Sequence, residues 1–168
     1  TRNRISVLHP RYPLPPAIGM SAAPLLMAWA ARSDLQGLRA GGFSFDLIDA
    51  HYLYPDGVAA ALLGRWLGVP VVQTARGSDV NVLSQFSLPR RWMRWALRRS
   101  AATITVSAAL ATSVKSEIDP ALTPRVIPNG VDLEVFKPLD REAARRALGL
   151  RSATMLLVGK LTAAKGQQ

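Results

Sequence analysis

The feature that most constrains this chain is an alternation, sustained along its length, of short apolar β-branched runs with longer stretches of helical periodicity. Ile5–Leu8, Asp46–Ala50, Val69–Thr74, Ala102–Val106, Arg125–Pro128 and Thr154–Val158 read as strands. The stretches between them read as helices with identifiable ends. Ser21 can cap a helix to about Leu38, closed by Gly41 and Gly42. Asp56 can cap one that runs to Leu67, where Gly68 and Pro70 stop it. Pro89–Arg99 is helical, Ser107 can cap a further helix, and Asp140 can cap one ending at Gly149. Val69–Thr74 is the kind of apolar run expected when both faces of a parallel sheet are covered. Strands that alternate with helices pair in parallel. The predicted fold is therefore α/β, a Rossmann-like doubly wound sheet in an αβα sandwich.

With 168 residues, 49% of them hydrophobic and 19% charged, the chain can bury a core and is not of a disordered type. Val131–Leu139 has neither period and contains Pro138, so it reads as a linker. Residues 1–136 are expected to form one domain, and residues 137–168 a linker and the opening of a second, incomplete one. A start at Thr1 rather than Met fits a piece of a longer protein. The absence of cysteine excludes disulfides, thiolate zinc sites and thiol nucleophiles, and is compatible with the cytoplasm. No signal peptide and no apolar run of ~18 residues is evident in the sequence. The formal charge of +10 attracts polyanions, whether nucleic acid, an anionic membrane or a diphosphate-bearing small molecule.

Open parallel sheets bind ligands beyond the carboxyl ends of their strands. Four such loops carry polar groups, glycines and charges: His51–Gly57, Ala75–Asp79, Asn129–Asp132 and Gly159–Gly166. His51, Arg76, Gly77, Asp79, Asn129 and Gly130 are the candidates for a substrate cleft. His51 can make a polar contact there or sit as a satisfied residue at a strand end. Asp79 can order a ligand loop or cap a turn. Arg76 stays protonated, so it cannot act as a general base. It can bind a phosphate or a sugar hydroxyl, or pair with Asp79 or Asp56. Lys160 and Lys165, beside Gly159 and Gly166, can grip a diphosphate or be ordinary surface charges. On a helix, Arg90, Arg91, Arg94 and Arg98 share one face and Trp92, Met93, Ala96 and Leu97 the other. The apolar face suits a core. The basic face suits water or an anionic lipid surface.

From Phe45 to Gly166 the runs FDLIDAHYLYPDGVAAALLGRWLGVPVVQTARGSDVN, ITVSAAL, VIPNGVDLEVFKP and LLVGKLTAAKG resemble, in this order, retaining glycosyltransferases of family 4 (group 1). These enzymes have the two-domain GT-B fold. The resemblance implies the acceptor-side N-terminal domain and the start of the donor-binding domain. It implies sugar transfer from a nucleotide-diphosphate sugar to a glycan or lipid-linked acceptor, with retention of configuration. No cofactor and no metal is expected, because cationic side chains serve the leaving diphosphate. The resemblance assigns that role to Lys160 and Lys165, flanked by Gly159 and Gly166. The resemblance puts Arg usually at the place of Lys160, and at the place of Arg76 a His that contacts the donor sugar or sits by the reacting centre. The family's glycine-rich opening is not recognisable in residues 1–44, and its glutamate motif falls beyond Gln168. No catalytic residue is therefore assigned, and this stretch alone is expected to be inactive. Acceptors of the family are often lipid-linked, which suggests peripheral contact with the inner membrane face. A nucleotide-sugar epimerase fits the NGVD and GKLTAAKG runs less well. A basic module that binds nucleic acid or membrane without catalysis is the alternative. No helix-turn-helix, zinc or aromatic-sheet motif supports specific nucleic-acid binding.

Overall fold

The computed structural model describes residues 6–16 and 19–159. The chain divides into two compact units, Thr1–Asn129 and Gly130–Gln168.

The first unit is a Rossmann-like α/β fold. Its elements are α1 (Gly19–Ala40), β1 (Ile48–His51), α2 (Val58–Leu67), β2 (Val71–Ala75), α3 (Ser78–Asn81), α4 (Ser87–Leu97), β3 (Ala102–Thr105), α5 (Ala108–Ser113) and β4 (Arg125–Val126). The four strands form one parallel sheet in the order β1-β2-β3-β4. Register pairs Ile48 with Val71, Gln73 with Thr103 and Ile104 with Arg125.

The core follows from strand alternation. Ile48, Ala50, Val71, Gln73 and Ala75 share one sheet face. Ala75 joins the main cluster with Leu53 and Tyr54, Val58 and Ala61 of α2, Met93, Ala96 and Leu97 of α4, and Leu110 of α5. Two smaller clusters join Ala28 of α1 to Ala59 and Leu63, and Ala50 to Ala60 and Val71. On the other face Asp49 and His51 are exposed, and Val72 and Ile104 are half-buried. The amphipathic reading of Pro89–Arg99 holds, since Met93, Ala96 and Leu97 are buried.

Several local expectations are corrected. Asp56 does not cap α2. A wide turn, Leu53–Gly57, precedes the helix, and its first turn carries no side-chain cap. Ser21 is no cap either, because α1 begins at Gly19. Residues 6–8 carry no strand, and Ile5 lies outside the described residues. Ser107 and Asp140 do cap, accepting the N–H groups of Leu110 at 3.2 Å and Ala143 at 2.7 Å.

In the second unit, α6 (Arg141–Ala147) is the one regular element among the described residues. Arg145 Nη2 donates to the Ser152 carbonyl at 2.6 Å. The expected strand Thr154–Val158 is not formed. Met155 is 90% exposed and Val158 88%. Among the described residues of this unit no second strand is present to take up its backbone groups, and a strand needs such a neighbour.

Gly64 lets α2 lie close to β2. A Cβ built there falls 2.4 Å from Val71 Cγ2 and 2.7 Å from the Val69 carbonyl oxygen. Gly64→Ala gains about 1 kcal/mol of helix propensity but overpacks backbone, at a cost of about 1–3 kcal/mol. Thermal unfolding should register the clash as a lower Tm. A Tm equal to or above wild type would mean that this contact relaxes freely.

Candidate functional site

The carboxyl ends of β1, β2, β3 and β4 bring the candidate residues of the first unit to one edge of the sheet. His51 closes β1, and Arg76 follows β2 directly. Asp79 lies in the first turn of α3, and Asn129 three residues beyond β4.

Asp79 organises this edge. Its side chain is fully buried. One oxygen, Oδ2, accepts the Leu53 N–H at 2.8 Å, across from the loop after β1. The other, Oδ1, accepts the Gly77 N–H at 2.7 Å and the Arg76 N–H at 3.1 Å. A buried carboxylate is tolerable only with such donors. Of the two readings of Asp79, the structural one thus has direct support: it ties the loops after β1 and β2 together. Gly77 sits at φ +132°, where an L-residue is strained, so this tight loop needs glycine. Tyr52 Oη and Ser78 Oγ, 2.8 Å apart, add a second link between the same loops.

Arg76 does not pair with Asp79 or Asp56 through its side chain. Its Nη1 donates instead to Asn129 Oδ1 at 2.8 Å, which joins the β2 and β4 ends. Asn129 is neutral, and among the described residues the guanidinium has no carboxylate partner within 4.0 Å. Beside it opens a pocket of about 220 Å³. His51 is about half exposed, with Nε2 3.2 Å from Asp49 Oδ2. Burial pushes the Asp56 carboxyl above its usual range, aided by the charge of Asp79 and opposed by a backbone hydrogen bond. Gly130 belongs to the second unit. There Gly159 lies in an exposed bend, while Lys160, Lys165 and Gly166 fall outside the described residues.

The four arginines expected on one helix face, three in α4 and Arg98 at its C-terminal end, do not act as one set. Arg94 Nε donates to the Ile118 carbonyl at 2.6 Å, and Arg98 Nε to Asp119 Oδ2 at 2.5 Å. Both therefore tie α4 to the end of the turn Val114–Ile118. Among the described residues the side chains of Arg90, half-buried, and Arg91, exposed, make no hydrogen bond or ion pair. This splits the single basic face read from helical spacing, because spacing does not show what packs beside a helix. The hydrogen bond from Arg98, with burial opposing it, holds Asp119 below the usual carboxylate range.

One feature escaped the sequence. A cleft of about 450 Å³ is lined by Met20, Tyr54, Leu83, Phe86, Leu88 and Pro89, among others. Its residues come from three separate segments, so periodicity within any one of them carries no trace of it.

A parallel α/β sheet with polar loops at its carboxyl edge defines a Rossmann-like unit, a class of fold that takes its ligands at that edge. Residues 2–135 match the profile of Glycosyltransferase Family 4, and the chain belongs to this family. It is 30% identical over 157 residues to TuaC of Bacillus subtilis (strain 168), a glycosyltransferase assigned provisionally to teichuronic acid biosynthesis, covering 86% of this chain and 40% of TuaC. It is 33% identical over 138 residues to the D-inositol 3-phosphate glycosyltransferase of Arthrobacter sp. (strain FB24), covering 74% of this chain and 32% of that protein. The sucrose-phosphate synthase of Thermosynechococcus elongatus shares the fold, with a TM-score of 0.55 and 17% identity over 84% of this chain and 36% of that one. The chain thus spans 40% or less of each of these proteins.

Two outcomes test the geometry. Asp79→Ala strands three backbone N–H groups, each of which costs about 1–3 kcal/mol when left unpaired. Urea unfolding should show a loss of about 3 kcal/mol or more. A loss under about 1 kcal/mol would mean that water replaces the carboxylate. For Asp119, whose pKa is depressed in the fold, the stabilisation is present above the ordinary carboxylate value of about 4 and is lost as pH falls through the lower folded value. Arg98→Gln should flatten the dependence of unfolding free energy on pH in that acid range. An unchanged slope would detach Asp119 from Arg98.

Proposed function

We propose that this chain is the acceptor-side domain, with the start of the donor-side domain, of an enzyme that transfers a sugar from a nucleotide-diphosphate sugar with retention of configuration. The carrying observation is the family match over residues 2–135, joined to the cluster of polar loops at the sheet's carboxyl edge. The acceptor is a glycan or a lipid-linked saccharide, and His51, Arg76, Gly77, Asp79, Asn129 and Gly130 serve the substrate cleft. Arg76 and Asn129 face the ligand, while Asp79 and Gly77 hold the loop that presents Arg76. Neither cofactor nor metal is needed, because Lys160 and Lys165, beside Gly159 and Gly166, stabilise charge on the leaving diphosphate. No described helix is long and apolar enough to cross a membrane. The enzyme works in the cytoplasm. It meets the inner membrane face through Arg90 and Arg91, with Phe86 and Leu88 exposed on the adjoining turn.

The nucleic-acid reading gains no support from the fold, since the α4 arginines divide between internal contacts and solvent. The test is a transfer assay on the full-length protein with a panel of nucleotide-diphosphate sugars, followed by NMR of the product's anomeric configuration. Lys165→Ala should slow turnover at saturating donor by roughly 100- to 1,000-fold with unchanged melting, the usual effect of losing one electrostatic stabiliser. Lys160→Arg should retain turnover. Near-normal turnover in Lys165→Ala would make these lysines surface charges. An inverted product would overturn the stereochemistry.

A further inference from the structure

The pocket beside Arg76 is basic, and unlike the cleft lined by Arg11 and Arg32 it lies at the carboxyl ends of the strands. It is lined by Arg76, Gly77, Asn81, Ser107, Leu110 and Ser113, at the ends of β2 and β3. Arg76 and Ser107 offer donors to it, whereas the Ser113 hydroxyl donates to the Ala109 carbonyl. Arg76 brings a permanent positive charge and, with Nη1 held by Asn129, keeps its remaining guanidinium N–H groups for a ligand. Ser107 Oγ accepts the Leu110 N–H, which leaves its own proton to give. The Asn81 amide adds further donor capacity. The nearest carboxylate by sequence, Asp79, is turned inward and spends its oxygens on the N–H groups of Leu53, Arg76 and Gly77. A site with a guanidinium that meets no carboxylate among the described residues, a hydroxyl proton to give and its nearest carboxylate faced away selects an anion over a neutral hydroxyl.

We propose that this pocket seats an anionic group, a phosphate or carboxylate, carried by the acceptor. The proposal rests on the transferase reading above and makes it more specific. Within that reading the donor's diphosphate goes to the lysines of the second unit, so the charge in the first unit is left for the acceptor. The Asn129 contact matters because it orients the guanidinium: a bidentate grip on an oxyanion needs a fixed plane. Arg76 is then a specificity-determining residue for the acceptor.

The first experiment uses inorganic phosphate as probe. It is titrated into the protein at fixed ionic strength, and amide shifts are followed by NMR. Shifts should centre on Gly77, Asn81 and Ser107. Arg76→Gln should weaken binding by about tenfold or more, as expected for loss of a hydrogen bond to a charged group, and Arg76→Lys by less. Lys115→Gln, which removes an exposed charge outside the pocket, should leave it unchanged. Equal weakening by Lys115→Gln and Arg76→Gln would reduce the effect to the general positive field and overturn the proposal, as would shifts elsewhere. The second experiment measures transfer by the full-length protein to two acceptors that differ only in a phosphate. Arg76→Gln should raise KM for the phosphorylated acceptor and leave donor KM alone. A raised donor KM instead would assign the anion to the donor and defeat the proposal. Phosphate bound at Arg76 by a protein that transfers no sugar would support the anion site and overturn the transferase reading alone.

Discussion

Much of the first unit's functional edge depends on one buried carboxylate. Asp79 accepts backbone N–H groups from the loop after β1 and from the loop after β2, and so does locally what a third strand-to-strand contact would do. Loops beyond the ends of parallel strands have no ladder to hold them, and their backbone donors must find other partners. A charged acceptor suits this duty, because its hydrogen bonds are roughly twice as strong as neutral ones. The consequence reaches Arg76. With its N–H and that of Gly77 fixed by Asp79, the residue leaves the strand in one direction, and its guanidinium arrives beside Asn129.

The excess of positive charge is used in two ways. Arg94 and Arg98 secure α4 against the end of the turn Val114–Ile118, one through a carbonyl and one through a carboxylate held in ionised form. Arg76 meets no carboxylate among the described residues and is held at the sheet edge by the neutral Asn129. A single net value of +10 cannot distinguish these uses. The distinction arises from what each guanidinium meets in space, and it decides whether a charge serves the fold or a ligand.

Membership of glycosyltransferase family 4 is carried by residues 2–135, while the lysines invoked for the leaving diphosphate follow later in the chain. The two halves of the chemistry are therefore separable by experiment. On the proposed function, acceptor recognition would be read in the first unit by binding alone, and diphosphate stabilisation only by turnover of the complete enzyme.

The amino-acid sequence by itself determined the class of fold. Apolar runs such as Val69–Thr74, most of which forms β2, the helix face of Met93, Ala96 and Leu97, and the caps at Ser107 and Asp140 follow from local chemistry, because period and capping are properties of neighbouring residues. The ordered loops after the strands were legible too, since open sheets place ligands there. Other features were decided only by tertiary structure. Whether Asp79 capped a turn or joined two loops depended on Leu53, 26 residues away. Whether Arg76 paired with a carboxylate or with Asn129 depended on a residue 53 positions on. Arg94 and Arg98 looked equivalent to Arg90 and Arg91 until Ile118 and Asp119 were placed beside them. Thr154–Val158 had the composition of a strand but no neighbour among the described residues to make it one. A side chain's partner at long range is fixed by packing, and packing is set by the whole sheet rather than by any window of sequence.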